Sequence, residues 1–242
     1  MANTNFTGAK AIAKKAALWW EPDGPFWPLH KMNRWRLQYI VEHICKNFNK
    51  NPDVEKPLSG VKILDVGCGG GLLSEALHEK GATVVGIDPL EGNINVAQHH
   101  AVEMGYGVDY RTASAADMLK HHEQFDVIVA MEVIEHVENQ KGFIYNLAHL
   151  TKDGGLIFTS TINRTLPSLL FAKFAAEYVL NLLPKGTHKW REFVKPQELE
   201  NYLQHANCQP LHTQGVKLNP LKRVFSYTDR TLMNYMMVAK KL

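Results

Sequence analysis

The chain has 242 residues, a formal net charge of +3, 45% hydrophobic and 21% charged residues, which is the make-up of an ordinary globular enzyme. That length is long for one α/β domain and short for two. The weak positive charge falls short of a nucleic-acid footprint, the three scattered cysteines form no CxxC pair or disulfide framework, and no apolar run is long enough to span a bilayer.

Lys10, Lys14 and Lys15 precede Trp19-Trp20 with no arginine and no acid before Glu21, which fits a short basic helix better than a transit peptide. Residues 1–55 are expected to form a helical cap, with the proline- and asparagine-rich stretch Asn47–Ser59 linking it to a single domain over 56–242. From Val61 onward, short apolar strands alternate with helical patterns, the signature of βαβ units and a parallel sheet. Strands are expected at Val61–Val66, Ala82–Ile87, Val108–Tyr110, Phe125–Met131 and Gly155–Thr161. The intervening helices are expected at about Gly71–Lys80, Asn93–Met104 and Gly142–Leu150. A helical pattern over Pro167–Leu183 follows, then a helix at Pro196–His205 opened by its proline. Gln209–Lys217 and Thr231–Lys240 close a seven-stranded, mostly parallel α/β sheet with helices on both faces.

The segment Ile63-Leu64-Asp65-Val66-Gly67-Cys68-Gly69-Gly70-Gly71 is a strand that ends in an acid and runs into a glycine turn opening a helix. Glycines allow close backbone approach and positive φ, and the helix N-terminus favours a negative group such as a methionine carboxylate. Asp88 closes the next strand, where an acid accepts hydrogen bonds from ribose hydroxyls. A nicotinamide site needs G-x-G-x-x-G, but Leu72 stands at the third glycine's place, and Asp65 suits an ammonium better than a pyrophosphate. These residues point to a class I (Rossmann-like) methyltransferase that uses S-adenosylmethionine and releases S-adenosylhomocysteine. Cys68 inside the loop reads as a small buried residue rather than a reactive thiol.

Trp19-Trp20, Gly24 to His30 (G-P-F-W-P-L-H), Asn33 to Leu37 (N-R-W-R-L), Leu64 to Gly71, Met131 to Val137 (M-E-V-I-E-H-V) and Pro184 to His188 (P-K-G-T-H) occur in this order. From about Trp19 to the C-terminus the chain resembles the ubiquinone-biosynthesis O-methyltransferases. That resemblance implies methylation of a phenolic hydroxyl on polyprenyl catechol or 3-demethylubiquinol intermediates. It also implies cofactor contacts at Arg36, Gly67, Asp88 and Met131, to which the glycine motif adds Asp65 and Gly69. Arg36 suits the methionine carboxylate.

Little phenolate exists near neutrality, because a phenol's pKa is about 10. Glu132, Glu135 and His136 follow the fourth strand at its carboxyl end, where ligands bind in open sheets. Two carboxylates and an imidazole suit either a divalent cation or general-base work, and they also suit a plain helix start. The resemblance implies Mg²⁺ held by Glu132, Glu135 and His136; without a metal, His136 is the expected base.

On a helix, Lys173, Glu177 and Asn181 form one narrow polar stripe in the otherwise apolar Pro167–Pro184, and Lys185, His188, Lys189 and Arg191 follow. The insertion over about 164–192 is therefore expected either to pack on the sheet or to lie at an anionic membrane surface. With the resemblance, that gives a cytoplasmic protein associated peripherally with the inner membrane. Its expected partners are a polyprenyl phenol or quinol, anionic lipid and other ubiquinone-biosynthesis enzymes, with no nucleic acid. The competing functions are methylation of another small phenolic or carboxylic acceptor, and a non-catalytic lipid- or nucleotide-binding Rossmann protein that would need no E-x-x-E-H cluster.

Overall fold

The computed structural model describes residues 18–24, 26–168, 190–219 and 222–242. Lys10, Lys14, Lys15 and nearly all of the expected insertion helix lie outside the described residues. The chain forms two compact units, the first ending at Ser114 and the second beginning at Ala115.

The first unit opens with α1 (Trp27–Asn47), which carries a proline in its first turn and buries Arg36, Tyr39, Ile40, Ile44 and Cys45 along one stripe. Its sheet contains β1 (Lys62–Val66), β2 (Thr83–Asp88) and β3 (Asp109–Thr112), in the order β3-β2-β1, all parallel. β1 is buried along almost its whole length, as a parallel strand covered on both faces requires. α2 (Leu72–Glu79) and α3 (Glu91–Met104) connect the strands, and Gly105 ends α3 in the left-handed conformation. Beneath the glycine loop, Cys68, Ile94, Ala97, Ala101 and Tyr110 pack together. Cys68 is thus a small core residue, and burial pushes its thiol pKa well up.

The second unit contains β4 (Phe125–Met131), β5 (Thr151–Ile162), β6 (Cys208–Asn219), β7 (Val224–Thr228) and β8 (Asn234–Lys241). They lie in the order β4-β5-β8-β6-β7. β4 and β5 are parallel, and the β5–β8, β8–β6 and β6–β7 pairs are antiparallel. The helices are α4 (Ala115–Met118), α5 (Gln140–Leu150) and α6 (Pro196–His205). Asn139 caps α5 by accepting a hydrogen bond from the Gly142 amide at 2.9 Å. In α6, Glu198 accepts one from the Lys195 amide at 3.1 Å.

Eight strands are present among the described residues, where the sequence predicted seven. The additional one is β7, whose V-F-S-Y-T pattern is short and follows the basic Lys222-Arg223 turn; it pairs only with the far end of β6, Gly215 to Asn219. β5 also begins four residues earlier than predicted, at Thr151 instead of Gly155. The added stretch holds a left-handed glycine, Gly154 (φ 76°), and pairs irregularly with β4, so apolar patterning could not reveal it. Among the described residues no helix is long and apolar enough to cross a membrane.

Candidate active site

In the first unit the predicted cofactor residues come together. Gly67, Gly69 and Gly71 all have positive φ, at 73°, 55° and 91°, a conformation side chains resist. The loop is tied to β2 by hydrogen bonds from the Gly67 and Cys68 amides to the Ile87 carbonyl, at 2.7 and 3.0 Å. Asp88 accepts from the Gly69 amide at 3.1 Å and from the Leu90 amide at 2.8 Å, so it shapes the loop as well as facing it. The sequence did not reveal that second duty. Asp65 is 3% exposed and accepts from the Ser74 hydroxyl at 2.6 Å. Burial pushes its pKa up to about 6, against the lowering effects of Ser74 and of the nearby Arg36 guanidinium. Arg36 is buried and sits beside Asp65 because α1 packs on α2, where the Asn33 amide donates to the Leu72 carbonyl at 3.0 Å.

The second unit holds the other predicted residues. Met131 ends β4 and is buried. Glu132 has φ 57°, a left-handed conformation that a non-glycine residue keeps only when its surroundings enforce it. They do: the Glu132 amide donates to the Ser160 carbonyl at 3.0 Å. Glu132 Oε1 in turn accepts from the Ser160 hydroxyl at 2.7 Å and the Asn234 amide at 2.8 Å. Glu135 is 3% exposed and accepts from the Thr161 hydroxyl at 2.9 Å. Burial, and then the Glu132 charge, raise its pKa well above the carboxylate range, which favours its protonated form and a hydrogen bond with Glu132. His136 stands in a 3-10 turn, Ile134–His136. The residue is exposed, yet enough protein surrounds the ring for burial to lower its pKa, opposed by Glu132 and Glu192. That lowering favours the neutral imidazole, which is able to accept a proton.

Ser160, Thr161 and Asn234 bond to Glu132 and Glu135, and sequence reasoning did not name them. A serine and a threonine ending an apolar strand were the available signal; Asn234 carried none. Among the described residues no three His, Cys, Asp or Glu side chains group as a metal site. Glu132 Oε1 accepts from Ser160 and Asn234 and Glu135 Oε2 from Thr161, so a Mg²⁺ held by Glu132, Glu135 and His136 would compete with these bonds. A separate groove of about 540 Å³ between α5 and α6, lined by Asn139, Tyr145 and Tyr202 among others, contains none of the predicted residues.

Residues 32–213 match the model of a methyltransferase domain family. The chain is 48% identical over 226 residues to the ubiquinone biosynthesis O-methyltransferase of Agrobacterium fabrum (strain C58 / ATCC 33970), covering 93% of this chain and 90% of that protein. The chain belongs to the ubiquinone biosynthesis O-methyltransferase family. The protein of the same name from Brucella anthropi (strain ATCC 49188) is 45% identical over 230 residues, 95% of this chain and 93% of that one.

Among solved structures, magnesium protoporphyrin IX methyltransferase from Synechocystis PCC 6803 with bound SAH superposes with a TM-score of 0.66 at 20% identity, covering 98% of this chain and 96% of that one. An S-adenosylmethionine-dependent methyltransferase from Clostridium acetobutylicum ATCC 824 gives 0.61 at 13% identity, covering 97% and 99%. The fold is the class I methyltransferase fold with a mixed sheet, and S-adenosylmethionine is the cofactor of this family.

Proposed function

We propose that this family member transfers a methyl group from S-adenosylmethionine to a phenolic hydroxyl of a polyprenyl catechol or demethylated ubiquinol in ubiquinone biosynthesis. The observation that carries it is the 48% identity to a ubiquinone biosynthesis O-methyltransferase over 93% of the chain. The glycine cradle fits the cofactor: its positive-φ positions leave room for close approach, and Asp65 and Asp88 offer acceptors for an ammonium and a ribose. Gly67 and Gly69 would contact the cofactor through backbone, Asp88 through the ribose hydroxyls, and Arg36 through the carboxylate.

When bound, the cofactor supplies an electrophilic methyl on a sulfonium sulfur. The protein's task is to align an oxygen in line with that methyl and to remove its proton. A ring nitrogen of His136 accepts the phenol proton as the oxygen attacks. The Glu132 carboxylate offsets the imidazolium charge that forms, while Glu135, still protonated, holds Glu132 in place. No step here is routed through a cation.

The test is methylation of a short-chain catechol analogue. Methyl transfer to the phenolic oxygen is expected, and turnover only on carboxylic acceptors would point to the alternative substrate class. A polyprenyl tail is costly to extract into water, at about 0.8 kcal/mol per CH₂, so we place the enzyme at the bilayer surface through the apolar, basic-flanked segment 167–184. Changing Leu169, Leu170 and Phe171 to serine should weaken flotation with anionic liposomes and spare activity on the short-chain substrate, whereas a collapsed melting temperature would favour a helix packed in the core. Retained flotation removes the interfacial role.

A further inference from the structure

Gly70 differs from its neighbours in the glycine loop. Gly67, Gly69 and Gly71 need positive φ, and Gly70 does not. Its reason lies elsewhere: a Cβ at Gly70 would stand 2.7 Å from the Trp19 ring, and one at Gly69 would stand 2.9 Å from it. Such distances forbid a methyl group unless the indole moves. Trp19 is itself held in place, stacked on Phe26 with ring centroids 4.2 Å apart and planes 7° from parallel. Its carbonyl is hydrogen-bonded to His30 Nε2 at 2.8 Å.

The next residue is anchored on the other side. Trp20 stacks face to face on His100, with centroids 3.5 Å apart and planes 3° from parallel. His100 Nδ1 is fixed by Glu75 Oε2 at 2.8 Å, and Glu75 is 2% exposed on α2, the helix that the glycine loop opens. Burial pushes Glu75 up to about 8 and lowers His100, so near neutrality the pair shares one proton without net charge and the stack is ring on ring.

The closed arrangement carries a penalty. Trp20 Nε1 and Glu75 Oε1 are buried and find no hydrogen-bond partner among the described residues. Unpaired buried polar atoms are costly, and opening returns Trp20 Nε1 to water. Stacking holds the segment down and this orphaned group favours its release, which suits an element that moves once per catalytic cycle.

We infer that Trp19 and Trp20 form an aromatic strap across the glycine loop that sets the rate of cofactor and product exchange, with Gly70 kept free of a side chain to seat it. The Glu75–His100 pair is the strap's clasp. This rests on the glycine loop being the cofactor site.

The experiment follows S-adenosylhomocysteine binding to the full chain by surface plasmon resonance. Trp19→Leu should raise both the association and the dissociation rate about tenfold, the scale of one lost aromatic stack, and so leave the equilibrium constant little changed; Gly70→Ala, whose methyl displaces the indole, should raise both rates as well. Both substitutions disable the same closure, so the double variant should match the singles. Trp20→Ala should behave likewise, and Trp20→Phe, which retains a stack on His100, should restore wild-type rates. A thermal melt identifies any variant that fails to fold, and the remaining ones then decide.

Wild-type rates in the folded strap variants, or additive effects in the double variant, would overturn the strap. Asp88→Asn separates the two ideas. Weakened affinity in Asp88→Asn beside unchanged strap variants rejects the strap alone, whereas wild-type affinity in Asp88→Asn rejects the cofactor-site assignment beneath it.

Discussion

The two units hold unusual backbone in opposite ways. In the first, the left-handed positions of the loop are glycines, and the neighbouring acids are tied to local groups: Asp88 to the Gly69 and Leu90 amides, Asp65 to Ser74. In the second, one left-handed position is Glu132, a non-glycine residue held by Ser160 and by Asn234, which is 102 positions away. Glycine conformations are intrinsic and survive many sequence contexts. A strained glutamate persists only while distant partners remain in place. The glycine loop of the first unit rests on backbone conformation, and the Glu132 cluster of the second on a side-chain network.

The largest single effect is expected at the Glu132–Glu135–His136 cluster. His136→Ala should reduce kcat by about 10²–10⁴, the usual contribution of a positioned base, while S-adenosylhomocysteine affinity stays at the wild-type value. In the wild type, activity should fall on the acid side only below the ordinary histidine value of about 6.5, because burial lowers the pKa of His136. A His136→Ala enzyme of normal kcat breaks the comparison.

Asp88→Ala should act at the other end. Losing a charged hydrogen bond to the ribose costs about 1.5–3 kcal/mol, or about 10- to 100-fold in cofactor affinity. The melting temperature should fall too, since Asp88 also braces the loop, and calorimetry beside a thermal scan reads both. Unchanged affinity removes the ribose assignment.

The smallest effect is a pH dependence. Asp65 takes up a proton as pH falls through about 6 and loses its attraction for the cofactor's ammonium. Affinity should be flat above neutrality and should weaken severalfold, about one pKa unit's worth, in more acid solution; Asp65→Asn should flatten the curve. The empty protein responds with the opposite sign. A carboxyl whose folded pKa is raised gives its full stability below the unfolded value of about 4, and that stability is lost as pH rises to about 6.

The same contrast explains what the sequence disclosed. Asp65, the loop glycines and Asp88 lie within one βαβ stretch, and their spacing is set by a strand, a turn and a helix, so the pattern can be read locally. Met131, Glu132, Glu135 and His136 were legible as residues but not as an arrangement. Nothing local says that Glu132 turns left-handed or that Glu135 hydrogen-bonds Thr161. Asn234 joins the network only because β8 runs antiparallel to β5 and places Asn234 opposite Ile162. β7 escaped notice because an edge strand paired on one side needs little hydrophobic pattern, and Gly70 because a glycine among glycines carries no individual mark.

β8 bears on how the molecule is made. It lies between β5 and β6 and hydrogen-bonds both, yet the ribosome produces it after either. Until it arrives, β5 and β6 each have a bare edge, ready to pair with another nascent chain. The strand that closes this gap must find one partner, β5, far back in the sequence, a slow kind of assembly. Substitutions in Tyr235, Met236, Met237 or Val238 of this late strand should therefore reduce the yield of folded protein in cells by more than their effect on the finished fold suggests.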